Sequence, residues 1–169
     1  MREFLLTFFY CGKAKKAPGT VGSLAALVFW FLITKSFHDE RISLLLQNIF
    51  WLVFLILIFI YGCLAIPIYT KKFKQIDHQT IVLDEVVGQI LPLQFTFFLL
   101  HEKYFLHSNL IAIHLIFCFV FFRILDITKP SFIGYADRNF KSGFGVMFDD
   151  LLCGIVVAAV GALLIIFLA

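Results

Sequence analysis

The chain alternates long apolar runs with short polar breaks. Five runs stand out, at about residues 21–37, 44–69, 86–100, 109–122 and 151–169. A helix needs roughly 20 apolar residues, with a usual range of about 17–25, to cross the hydrocarbon core of a bilayer. The second and fifth runs clear that length. The other three are shorter and reach across only with help from flanking residues. Pro92 falls inside the third run and predicts a kink there. The pattern predicts an all-α, polytopic helical membrane protein with about four to five membrane-embedded helices, forming a single domain over residues 1–169. The opening MREFLLTFFY lacks the ordered regions of a cleaved signal peptide and reads as a short amphipathic or interfacial segment.

Composition strengthens this reading. The chain is 62% hydrophobic and 18% aromatic with 23 Phe, against about 45–50% apolar in soluble proteins. So many phenylalanines cannot all be hidden in a small water-soluble core, and lipid must solvate much of the surface. A formal charge of +3 gives no support to a nucleic-acid partner, and none is expected. Cys11, Cys63, Cys118 and Cys153 are widely spaced without a CxxC pair, so they read as small packing residues rather than a disulfide framework or a zinc site.

The placement of charge is more informative than its sum. If the runs cross alternately, one side of the membrane receives Arg2, Lys13, Lys15, Lys16, Lys71, Lys72, Lys74, Arg123, Lys129, Arg138 and Lys141, which is 11 of the 14 basic residues. The other side receives Lys35, Arg41 and Lys103. The positive-inside rule makes the first side cytoplasmic. Asp77, Asp84, Glu85, Asp126, Asp137, Asp149 and Asp150 fall on that same side, although the rule takes little notice of acids. Orientation does not require their clustering, but an active site facing the cytoplasm does.

Asp84-Glu85 and Asp149-Asp150 each directly precede an apolar run. One acid at a helix start is explained by the macrodipole and the free N–H groups. Two adjacent acids at two such starts exceed that explanation, and ionised carboxylates near hydrocarbon are expensive. A divalent cation such as Mg²⁺ would compensate them, held by a few carboxylates together with substrate phosphate. In FFRILDITKP, Arg123 and Asp126 share a helix face, and Lys129 before Pro130 ends the helix. Two readings stand: an intrahelical salt bridge, or a cationic pair aimed at a phosphate with Asp126 orienting Arg123 or joining the metal. KKAPGTVGSLAAL reads as a turn at Pro18-Gly19 with Thr20 as N-cap, leaving the N–H groups of Val21, Gly22 and Ser23 to receive an anion. Gly143 and Gly145 permit a tight or left-handed turn before the second acid pair. Gly154, Ala158 and Ala162 form a small-residue stripe that draws the last span against a neighbour and brings Asp150 into a protein-lined cleft. His78 reads as a solvated loop residue and His114 as a hydrogen-bonded packing group.

These stretches together resemble the phosphatidylglycerophosphatase A family of bacterial membrane phosphatases. The resemblance is carried by APGTVGSLAAL from Ala17, Asp77-His78 followed by IVLDEVVG from Ile81, FRILDITKP from Phe122 and ADRNFKSGFGVMFDDLLCG from Ala136. It implies a multi-pass enzyme of the bacterial cytoplasmic (inner) membrane. Such an enzyme is a Mg²⁺-dependent hydrolase that removes the terminal phosphate of phosphatidylglycerophosphate during phospholipid biosynthesis. The implied metal and catalytic acids are Asp84, Glu85, Asp126, Asp149 and Asp150, with Arg123, Lys129 and Arg138 as phosphate partners; Thr20 joins the phosphate-binding residues on the reading of its own turn. Gln79 and Leu83 depart from the family pattern, as does the basic stretch before Ala17. A small ion-coupled membrane transporter is the alternative, since intramembrane acids often mark ion paths. The sequence has no internal repeat of the kind such carriers show, and its acids lie at the ends of spans rather than their centres.

Overall fold

The computed structural model describes residues 1–71, 78–105 and 107–168; Lys72, Lys74 and Asp77 lie outside these. It is all-helical. A short α1 (Arg2–Leu6) is followed by α2 (Pro18–Asp39), α3 (Leu44–Thr70), α4 (Leu83–Tyr104), α5 (Ser108–Thr128), α6 (Ser131–Asn139) and α7 (Gly143–Leu168). Within these, α2, α3, α5 and most of α4 and α7 are long and apolar enough to cross a membrane. All five expected spans are therefore present, and the three short ones are extended by flanking turns.

Those extensions change where the polar residues sit. Helix α2 starts at Pro18, whose fixed φ suits the first helical position, behind Ala17 in the left-handed region (φ 46°). Thr20 is consequently a first-turn residue rather than the N-cap. Nothing between Ser142 and Leu151 breaks a helix, so α7 begins at Gly143, with the Ser142 hydroxyl accepting the Gly145 N–H at 3.2 Å. Gly143 and Gly145 are therefore helical, and no described glycine has positive φ. Asp149-Asp150 lie in the second and third turns of α7 instead of at its start. Asp84 and Glu85 belong to the first turn of α4. Helix α6 is an amphipathic segment inside what the sequence presents as one long polar loop, with Ile133, Gly134 and Ala136 buried and Phe132 and Tyr135 exposed. The interfacial segment expected at the N-terminus is the five-residue α1. Its Leu6 lies in the protein core, and its carbonyl accepts the Val82 N–H at 3.0 Å.

Helix α4 is central. In its apolar window 67% of residues are buried, against 17–33% in the other four spans. Its polar side chains tie it to three neighbours. Trp30 of α2 donates to Gln94 at 2.9 Å, and Gln94 donates to Asn48 of α3 at 2.9 Å. His114 of α5 lies 2.7 Å from both Thr96 and Tyr104 and is, as expected, a hydrogen-bonded packing group. Outside this core, Leu45, Leu57, Leu64, Ile113, Ile116, Leu163 and Ile166 are exposed on the outer helices, where lipid is the natural solvent.

Helices α4 and α7 form the most extensive pairing. Pro92 has no N–H, so the Gly88 carbonyl lacks its helical donor. That carbonyl faces Gly154, where an added Cβ would come within 2.5 Å of it. The small-residue stripe of α7 thus meets a glycine and an unoccupied carbonyl on α4. Ala158 is buried, and Gly161 rather than Ala162 packs against Thr96.

Candidate active site

Helical ends and turns from five elements converge on one cavity of about 840 Å³. Its walls are Ala17–Gly19 at the start of α2, Gln79 and Ile81 from the loop before α4, Asp84 and Glu85, the end of α5 (Arg123, Asp126, Lys129), Asp137 of α6, Phe140, Lys141, and Val146, Asp149 and Asp150 of α7. Asp84, Glu85, Asp126, Asp137, Asp149 and Asp150 are all among these walls, whereas Asp77 lies outside the described residues.

Oxygen atoms of Asp84, Glu85 and Asp150 lie within 4.8 Å of one another. Asp84 and Asp150 are buried, and among the described residues the Glu85 Oε2 is buried without a hydrogen-bond partner. If all three were ionised, each pair would repel by at least roughly 3.5 kcal/mol at an effective dielectric of about 20. A helix N-terminus returns only about 0.3–1 kcal/mol per acid, and Asp150 is too far along α7 to benefit. Capping therefore cannot hold this group together. Hard oxygen donors at this spacing suit a small divalent cation such as Mg²⁺. Asp126 is close enough to Asp150 to interact with it and so adjoins the same group.

Asp149 lines the cavity but points one oxygen elsewhere. Lys129 Nζ lies 2.5 Å from Asp149 Oδ2 and 2.6 Å from Asp137 Oδ1. Burial alone would lower the Lys129 pKa, but the two carboxylates outweigh it and raise it above the ordinary value, so the ammonium stays charged. Lys129 is the left-handed C-cap of α5 (φ 42°). A bulky residue before proline rarely adopts that conformation, and its side chain is thereby turned into the cleft.

Arg123 and Asp126 are paired at 2.5 Å, each side chain 14% exposed, and Arg123 also donates to Ser23 at 3.3 Å. The Arg123 Nε is buried without a partner among the described residues. Gly19 sits directly over this region: a Cβ there would strike Glu85 Oε1 and come within 3.2 Å of Arg123 Nη1. The α2 N-terminus thus meets the Glu85 carboxylate. Because α2 starts early, the Val21 N–H bonds to Ala17 at 3.1 Å and is not available to an anion, contrary to expectation. The first-turn groups left without helical acceptors are Gly19 and Thr20.

Thr20 and Arg138 do not line the cavity. Arg138 is exposed on α6, its guanidinium against Gly134. His78 is half-buried and lies 2.9 Å from Thr80. The Ser23 hydroxyl and the side chains of Gln79 and Lys141 were not expected at the site, and Asp137 was expected only as one of the clustered acids. Asp137 was visible as an acid, but its approach to Lys129 depends on α6 folding back after Pro130. Ser23 is one helical turn beyond Gly19, and only the packing of α2 on α5 brings it to Arg123.

Residues 4–165 match the family model described as phosphatidylglycerophosphatase A. The chain is 33% identical over 158 residues to the phosphatidylglycerophosphatase A of Haemophilus influenzae, covering 94% of this chain and 85% of that protein. It is 29% identical over 161 residues to the protein of the same name in Escherichia coli K12, covering 94% and 80%. A Bacteroides thetaiotaomicron relative, provisionally named a phosphatidylinositol-3-phosphatase, is 29% identical over 150 residues, covering 88% and 84%. No solved structure matches.

Proposed function

The chain belongs to the phosphatidylglycerophosphatase A family, and from that premise we propose that it hydrolyses the terminal phosphate monoester of phosphatidylglycerophosphate, with Mg²⁺, on the cytoplasmic face of the bacterial inner membrane. The products are phosphatidylglycerol and phosphate, a step of phospholipid biosynthesis. The observation that carries this reading is the juxtaposition of Asp84, Glu85 and Asp150 within 4.8 Å, beside Arg123 and Lys129 at one end of a five-span bundle. A lipid phosphate resides at the headgroup layer, and a polar cavity at the ends of apolar spans suits that depth. The 11-to-3 distribution of basic residues supports the cytoplasmic orientation. The transporter alternative finds no support, because the clustered acids line a cavity at one end of the bundle rather than a path through its centre.

Asp84, Glu85 and Asp150 would hold the cation, with Asp126 beside them. Bound there, Mg²⁺ would polarise phosphoryl oxygens and lower the pKa of a coordinated water. Phosphoryl transfer depends mostly on positioning and charge neutralisation. Arg123, steered by Asp126 and Ser23, offers a planar donor fork to two phosphate oxygens. Lys129, kept charged by Asp137 and Asp149, offers a point charge from the C-terminal cap of the same helix. With water as the nucleophile, water attacks phosphorus, the bond from phosphorus to the glycerol oxygen breaks, and the proton that water gives up passes to the leaving oxygen; an aspartyl-phosphate formed on one of the carboxylates and then hydrolysed is the alternative route.

Phosphate release by purified protein from phosphatidylglycerophosphate in mixed micelles tests the proposal. Release should require Mg²⁺ and stop with EDTA. Release only from phosphatidylinositol 3-phosphate, or release unaffected by EDTA, would refute the substrate or the metal respectively.

A further inference from the structure

A second cavity, a furrow of about 680 Å³, lies on the lipid-facing side between α3 and α4 and is closed at one end by Leu151 of α7. We propose that this furrow holds an acyl chain of the phospholipid substrate whose phosphate occupies the catalytic cleft; the proposal rests on the lipid phosphatase reading above.

The furrow offers nothing to a polar ligand. Its only amides, Asn48 and Gln94, are bonded to each other at 2.9 Å, with Gln94 also accepting from Trp30 and Asn48 donating to the Leu44 carbonyl. The remaining lining is aliphatic or aromatic, including Leu55, Phe59, Val87 and Leu91. Along α3 it extends from Leu45 to Ile60, about 22 Å at about 1.5 Å per residue. One leaflet of a bilayer contributes about 15 Å, half of a core about 30 Å thick, so a chain rooted at the headgroup layer fits within that length.

Its position ties it to the catalytic cleft. Leu151 follows Asp150 directly, and Val87 is two residues past Glu85, so the furrow begins at the depth of the acids. Between Val146, which lines the cleft, and Leu151, which lines the furrow, Met147 is fully buried, with its Sδ packed on Gly62. The outer rim is instead a continuous apolar surface. Phe140 lines the catalytic cleft, its ring 6.2 Å from Phe144, and Phe144 is 5.9 Å from Phe59, which lines the furrow. Phe148 stacks on Phe144 at 5.0 Å. A phospholipid with its phosphate between Arg123 and Lys129 can therefore lay a chain over this aromatic rim without leaving apolar surface. Each methylene so covered is stabilised relative to water. Relative to bulk lipid the gain is smaller, so the furrow positions the substrate and selects its chains rather than supplying most of the affinity.

The test compares dioleoyl phosphatidylglycerophosphate with its water-soluble deacylated headgroup, on wild type and on Leu55→Trp and Leu91→Trp, which fill the furrow from opposite walls. Both variants should raise KM for the dioleoyl substrate about tenfold, with kcat within about twofold of wild type and kcat/KM for the deacylated headgroup unchanged. An equal effect on both substrates, or none on the dioleoyl substrate in either folded variant, overturns the proposal. A second readout needs no turnover. Substrate with brominated chains should quench the fluorescence of Trp51, which lines the furrow, more than equally brominated phosphatidylcholine does. Equal quenching would mean surrounding lipid only, and concentration-dependent dimer cross-linking through Leu52→Cys would mean a second copy; either result also overturns it. If selective quenching occurs without phosphate release, the furrow stands and the phosphatase reading fails.

Discussion

Lys129 Nζ reaches 2.5 Å from Asp149 Oδ2, joining the C-terminal cap of α5 to the second turn of α7 across the mouth of the cleft. The Asp149 side chain is 6% exposed while that of Lys129 is 27% exposed, so the acid is the more deeply committed partner. Lys129→Ala leaves that acid buried without its cation. The full penalty for breaking a buried pair is about 3–5 kcal/mol; partial exposure of Lys129 reduces it to roughly 1–3 kcal/mol. Thermal unfolding in detergent should show the loss, and kcat/KM should fall by about 100-fold. Because the Lys129 pKa is raised on folding, this stabilisation is fully present below the ordinary lysine value of 10.5 and lost only as pH climbs beyond it. A Lys129→Ala protein with wild-type stability and turnover would remove the pair from both roles.

The Asp84, Glu85 and Asp150 group predicts an inverted stability response. Without a divalent cation, Asp150→Asn removes one of three clustered carboxyls whose ionised forms would repel one another, and should raise the melting temperature relative to wild type. Mg²⁺ should stabilise wild type, by about 2.7 kcal/mol at 100-fold excess over its dissociation constant, and should stabilise the variant far less. Phosphate release by the variant should be nearly abolished. Equal Mg²⁺ stabilisation of both proteins would place the ion elsewhere.

How much of this was readable from the chain depends on whether the determining forces were local. The five long helices were legible because each carries an apolar run, although three of the runs reach spanning length only with the flanking turns. Six of the seven acids were legible as a set, because acids expected on one face have no topological reason to gather; Asp77 lies outside the described residues. The helix starts at Pro18 and Gly143 were not, since apolar character begins later than the helix does and the early turns are stabilised by Pro18 and Ser142. That displacement moved the expected anion-binding N–H groups from Val21 to Gly19 and Thr20. The division of labour within Asp149-Asp150 was also hidden. Adjacent helical residues point about 100° apart, and only the fold-back of α6 after Pro130 shows which of them faces Lys129.

Orientation gives a third prediction. In a cysteine-free background, single cysteines at Lys71 and Ser142 should react with an impermeant maleimide from the cytoplasmic side, and one at Glu40 from the opposite side. All three positions are exposed. Labelling of Lys71→Cys and Ser142→Cys from different sides would contradict a shared headgroup-level site.

Arg123 separates two readings of its bond to Asp126. If the guanidinium binds phosphate in a bidentate manner, Arg123→Lys keeps the charge and loses the fork, and kcat/KM should drop by about 10–100-fold with stability little changed. A purely structural salt bridge predicts reduced thermal stability with normal turnover per folded molecule. Kinetics and melting measured on the same preparation distinguish the outcomes.

The last prediction concerns the crossing of α4 and α7, which sets the spacing of the cation ligands. Asp84 and Glu85 are on α4 and Asp150 is on α7, so the 4.8 Å grouping exists only while these two helices remain close. The helices approach closely at Gly154, where a Cβ would lie 2.5 Å from the Gly88 carbonyl oxygen and 3.2 Å from its Cα. These obstacles are backbone atoms, which cannot swing aside as a flexible side chain does. Gly88 is itself confined between Phe122 and the Asp150 carbonyl, so α4 cannot retreat locally without disturbing α5. Gly154→Ala should therefore separate the helices by a few tenths of an ångström or more and cost about 1–3 kcal/mol, as overpacking in a tight core does. It should also weaken Mg²⁺ binding, seen as a higher Mg²⁺ concentration for half-maximal phosphate release, although the methyl group lies a full turn from Asp150. Ala158→Gly, on the same face one turn further, removes a methyl instead of adding one and should leave the Mg²⁺ requirement unchanged. If Gly154→Ala lowers stability while the Mg²⁺ dependence stays at the wild-type value, the crossing does not set the ligand spacing.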